Sequence, residues 1–259
     1  MFKRHFGIDI LAAIAALMTT NGTALAADST PPTVTAPVQT FAKGKVTSTV
    51  PPTVPVNIKW SADDASGIKS CELWRSTNSG PYVRVALATP TTTSQTYRLA
   101  ADNSYRFFVR AYDNAGNASA AKYGPTFTPH VIDDRFCCHY STLIWYEPWT
   151  KETSSLAYNG TLTKLYSWVG STRWNTGVAF YDFTGRDVAY VAVVGSGWSS
   201  AKVEIDGLFY RTAYLNSFPD GGAQIVVSKH WGTLAAHTIE VRTGSSFGYI
   251  NVDAFVVNQ

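Results

Sequence analysis

Apolar and polar side chains alternate with a period of two over much of this chain, and no window sustains a helical period. Val54, Val56, Ile58 and Trp60 alternate with Pro55, Asn57 and Lys59. Val83, Val85 and Leu87 repeat the pattern, and Tyr105, Phe107, Val109 and Ala111 alternate with Arg106, Phe108 and Arg110. Such alternation puts one set of side chains on one face of a sheet. Turn-forming clusters at residues 63–67, 78–81 and 113–116 separate the runs, and short strands at this spacing predict a β-sandwich.

The second half reads as β-structure of a different texture. Residues 188–194 form a near-continuous apolar run, as expected of a strand covered on both faces. Residues 201–205, 237–242 and 249–257 add further strands. Residues 182–187 (DFTGRD) read as a turn feeding a strand, residues 219–222 as another turn, and Asp206-Gly207 as a tight hairpin turn. The expected fold class is all-β: two β-sandwich domains in series. A Thr/Pro-rich leader at 27–37 precedes a domain at 38–129. A seam rich in proline (Pro125, Pro129) leads into a second domain at 130–259.

Residues 1–26 have the parts of a secretory signal peptide: Lys3, Arg4 and His5, an apolar stretch from 8 to 18 interrupted by Asp9, and the small-x-small sequence Ala24-Leu25-Ala26. The apolar stretch is short of the about 20 residues that a bilayer span requires, and no later stretch is long and apolar enough. A secreted or cell-surface location is therefore expected. Charged residues make up 15% of the chain and aromatics 14%, a balance suited to extracellular β-proteins. The formal net charge is +3 with no Lys/Arg run, which argues against a nucleic-acid partner. Export permits a disulfide among Cys71, Cys137 and Cys138, with an odd thiol left over. A bond between the adjacent cysteines demands a strained peptide geometry, and a link from Cys71 to one of them is the other option.

Two resemblances follow from these motifs. VNIKW, ending at Trp60, and YRFFVRAYDNAGNAS, from 105 to 119, resemble a bacterial fibronectin type III or related immunoglobulin-like domain. That resemblance implies a Trp beneath the sheet, a tyrosine corner at Tyr105, and a spacer or adhesion role. FTGRDVAYV, KVEIDGLFYRT, LAAHTIEV and INVDAFVV, in that order, resemble the galactose-binding-like jelly rolls that serve as carbohydrate-binding modules of secreted bacterial proteins.

No nucleophile elbow, P-loop, zinc-protease or dinucleotide motif is present, and Asp182, Asp206 and His237 have structural explanations in turns and strands, so no catalytic residue is assigned. Glycan recognition needs an aromatic ring for the C–H face of a sugar and polar groups for its hydroxyls. Loop context selects Trp174, Trp198 and Tyr210 as platforms, with Arg173 and Asn175 as polar neighbours. The jelly-roll resemblance also implies a structural calcium, with Asp133, Asp134 and Asp253 as ligands. The expected function is non-catalytic binding of a glycan or polysaccharide. The alternatives are an adhesive surface protein that contacts protein, or an accessory subunit of a separate hydrolase.

Overall fold

The computed structural model describes residues 28–143, 149–167, 169–170, 173–174, 176–218, 221–244 and 247–258. Residues 1–26, expected to be a signal peptide, lie outside them. The chain forms two β-sandwiches in series. In the first, the strands Val38–Phe41, Thr53–Lys59 and Ser94–Ala100 make one antiparallel sheet. The facing sheet runs in the order Lys122–Tyr123, Tyr105–Asp113, Ile68–Thr77, Val83–Val85. Strand Tyr105–Asp113 shows the predicted alternation, with Tyr105, Phe107, Val109 and Ala111 buried. Trp60 is buried one residue beyond its strand, and the Tyr105 hydroxyl donates to the carbonyl of Ala100 at 3.0 Å. The sequence did not mark Ile68–Thr77 as a strand, because its polar residues blur the period.

The second sandwich is organised by two long antiparallel strands, Thr176–Val194 and Gly222–Thr243. They belong to an eight-stranded sheet that faces the three-stranded sheet Thr150–Thr153, Thr161–Ser167, Gly248–Val252. One expectation is corrected here. Residues 182–187 are no turn: they lie within strand Thr176–Val194, paired to residues 230–238. Gly185 is there for close packing, since a Cβ would sit 2.7 Å from the Asn258 carbonyl. The register shifts after it: Gly185 pairs with Ala235 and Asp187 with His230, so Arg186 alone stands opposite residues 231–234. The cysteine pairing, open in the sequence, is decided here. Cys137 is joined to its neighbour Cys138, at the end of the short helix Asp134–Cys137, and Cys71 is free and buried in the first sandwich.

The apolar run 188–194 is covered on both faces, as expected. Val188, Tyr190, Ala192 and Val194 point into the core of the second sandwich. Ala189 and Val191 point the other way and join Ala223, Ile225, Ala254 and Val256 in a cluster with Phe41 and Val46 of the first sandwich. The contact is made by main chain as well. Strand Gly44–Lys45 pairs with Gln224 and Ile225, the Val46 amide donates to the Ala223 carbonyl at 2.9 Å, and Ser228 Oγ donates to the Phe41 carbonyl at 2.9 Å. One sandwich thus adds a strand to the sheet of the other, satisfying backbone groups that an edge would leave open.

Candidate functional site

Asp206-Gly207 forms the expected hairpin between strands Ser200–Ile205 and Leu208–Tyr214, with φ of 52° and 76° at the two residues. Residues with positive φ match the twist of the flanking strands. The turn holds Asp206 against the middle of strand Gly222–Thr243. Its carboxylate accepts from the Thr238 amide at 2.8 Å and lies 2.8 Å from His237 Nδ1. Burial acts against the charge, but the Thr238 amide and His237 outweigh it and hold Asp206 below the ordinary carboxylate value. Thr238 Oγ1 donates to Asp182 at 2.5 Å.

These groups line a shallow cleft of about 570 Å³, together with Tyr181, Phe183, Thr184 and Ala236. Tyr181 stacks in line with Phe183 and Phe255, with ring planes 14° and 9° from parallel. His237 lies against Trp231, and because a carboxylate only accepts, its Nδ1 is the donor to Asp206. Its Nε2 is buried and has no hydrogen-bond partner among the described residues. The cleft therefore presents two carboxylates and a hydroxyl, with the imidazole and the rings of Tyr181 and Phe183 packed behind them. Sequence reasoning gave Asp182, Asp206 and His237 structural places only. Their convergence depends on cross-strand register, although the Asp-Gly hairpin signal marked its corner.

Among the described residues, none selected from loop context lines this cleft. Trp198 is half-buried, packs against two core clusters, and its backbone bridges to Tyr249. Tyr210 is half-buried and donates its hydroxyl to the Ser228 carbonyl at 3.1 Å. Arg173–Trp174 is a two-residue strand paired with Val169–Gly170, its side chains outside the described residues, as is all of Asn175.

The three predicted metal ligands lie at one place and are buried. The Asp134 amide donates to the Asp253 carbonyl at 3.0 Å. Asp133 accepts from the backbone and guanidinium of Arg135 and from Asn159. Asp134 accepts from Thr161 and Thr163. Asp253 accepts from the Tyr158 amide at 2.9 Å through one oxygen, while its Oδ1 is buried without a partner among the described residues. Burial pushes Asp253 well above the carboxylate range and raises Asp134, whereas Arg135 holds Asp133 below it despite burial. An orphaned oxygen on a fully buried carboxylate fits a cation. Among the described residues, a tighter convergence of carboxylates is found elsewhere: oxygens of Asp28, Asp64 and Asp113 in the first sandwich lie within 4.8 Å of one another.

No family model and no curated protein matches this chain. It is similar in structure to an exo-β-1,3-galactanase from Phanerochaete chrysosporium, with 9% identity, TM-score 0.36, and coverage of 86% of this chain and 68% of that one. A carbohydrate-binding module of the β-sandwich superfamily aligns at 14% identity and TM-score 0.25, over 89% of this chain and 97% of that one. A SusE-like protein aligns at 10% identity and TM-score 0.32, over 88% and 96%. The chain spans only 25% of an α-L-rhamnosidase from Dictyoglumus thermophilum, covering 79% of itself at 12% identity and TM-score 0.31.

Proposed function

We propose that this is an exported, non-catalytic glycan-binding protein whose second sandwich, jelly-roll-like, holds a sugar in the cleft beside Asp206. One observation carries the reading: Asp182, Asp206 and Thr238 converge on one cleft that His237, Tyr181 and Phe183 also line. Rings cover the C–H face of a pyranose, and carboxylates accept from its hydroxyls. Recognition is by stacking and hydrogen bonding alone, and a shallow site gives weak individual affinity. The rings of Trp174, Trp198 and Tyr210, with Arg173 and Asn175 as polar neighbours, are further separate contacts in this reading.

The first sandwich acts as a fibronectin type III-like support spanning 38–129, a reading supported by the Tyr105 hydroxyl on the Ala100 carbonyl. Calcium, held by Asp133, Asp134 and Asp253, would neutralise buried charge and pin the start of the second sandwich to its last strands.

A glycan array probed with the intact chain, followed by titration of any ligand against Asp206→Ala, tests the proposal. Binding that falls at least tenfold in the variant supports it, and a chain that binds no glycan overturns it. Leu208, Phe209 and Leu234, exposed by 74%, 62% and 53%, favour a second reading, in which this end of the sandwich contacts protein.

A further inference from the structure

The strand Leu208–Tyr214 and the first half of strand Gly222–Thr243 bring two cations to one ring. Lys229 Nζ lies 4.9 Å from the centroid of Tyr210, and the Arg211 guanidinium lies 5.6 Å from it. Lys229 also lies 5.9 Å from the ring of Trp231, which packs on His237 at the cleft. Among the described residues neither cation has a carboxylate partner. The neighbouring acids are engaged: Asp187 with His230 and Asn258, Glu204 and Glu240 with Arg242, Asp206 with His237. Arg211 is exposed and Lys229 half-buried, so both charges border solvent beside aromatic surface.

From this juxtaposition of Lys229 and Arg211 around Tyr210, one ring contact from the cleft, we infer that the protein selects an anionic glycan. The inference rests on the glycan-binding reading and adds the ligand's charge. A sugar seated at Asp206 and Asp182 places hydroxyls on acceptors, so an acidic group on that same sugar would meet repulsion. The next residue of the chain, lying toward Trp231 and Tyr210, meets two uncompensated cations instead. A guanidinium binds a carboxylate or a sulfate in paired hydrogen bonds, and an ammonium beside an aromatic ring supplies the second charge.

The experiment titrates the intact chain against polymers that differ only in charge. Homogalacturonan is compared with its fully methyl-esterified form, and dextran sulfate with dextran, at low and high salt. The expected result is at least tenfold tighter binding to a charged member than to its neutral partner. That preference should weaken with salt and vanish in an Arg211→Ala/Lys229→Ala variant whose melting temperature is unchanged. A preference confined to homogalacturonan identifies the group as carboxylate, and one confined to dextran sulfate as sulfate. Equal binding to charged and neutral polymers, or a preference that survives the double substitution, overturns the inference and leaves glycan binding intact. Binding to no member of either pair, nor to any glycan on the array, overturns both.

Discussion

The imidazole of His237 lies flat on the indole of Trp231, with centroids 3.9 Å apart and planes 15° from parallel. Residues 231–234 supply this contact because they stand opposite the single residue Arg186, freeing the indole from the regular pleat. Trp231 thus positions the imidazole that Asp206 holds from the other side. An aromatic pair of this kind contributes about 0.5–1.5 kcal/mol. Trp231→Ala is expected to weaken glycan binding roughly two- to tenfold, measured by calorimetry, with Trp231→Phe retaining most of it.

Calcium binding at the second sandwich predicts a melting temperature that rises with calcium and falls with chelator. Asp253→Asn removes the carboxylate bearing the orphaned oxygen and should abolish that response. Identical melting curves for the native chain in calcium and in chelator would count against the site. A response lost in Asp64→Asn but kept in Asp253→Asn would move the ion to the first sandwich.

Asp187 is almost wholly buried, where His230 Nδ1 and Asn258 Nδ2 reach its two oxygens at 2.6 Å each. Burial raises its carboxyl above the ordinary value, with Asn258 and His230 opposing. A carboxyl raised in the folded state keeps its proton longer there than in the unfolded chain. Its contribution is therefore full below the unfolded value of about 4 and is lost as pH rises through the folded value. Relative to Asp187→Asn, the native chain should lose stability as pH rises from about 4, followed by thermal melts across that range. A difference that does not change with pH would contradict the assignment.

Ile225 is fully buried between the sandwiches and its strand pairs with Gly44. Ile225→Ala is expected to cost about 2–5 kcal/mol, and denaturant unfolding should remain a single transition, because both sandwiches share the cluster. Two separated transitions in the native chain would refute that coupling.

Cysteine labelling checks the redox assignment. Cys71 is buried and Cys137 is bonded to Cys138. Mass spectrometry should find no alkylated cysteine in the folded chain, one after denaturation alone, and three after reduction.

The sequence by itself determined what local geometry dictates. Period-two alternation is a property of consecutive side chains, so strands such as Thr53–Lys59 and Tyr105–Asp113 were legible without a fold. The Asp206-Gly207 hairpin was legible because positive φ at both residues favours that pair. The unbroken apolar run 188–194 announced burial on both faces, but not that the first sandwich supplies one of them. That cover comes from Phe41 and Val46, far away in sequence. Residues 182–187 misled, because Asp, Thr and Gly suit turns as well as a strand whose exposed face carries Asp182 and Thr184 and whose Gly185 packs against a distant carbonyl. The cleft belongs wholly to tertiary structure. Asp182, Asp206 and Thr238 sit on separate segments, and only the register of three antiparallel strands, set by burial of one face of each, brings their oxygens together.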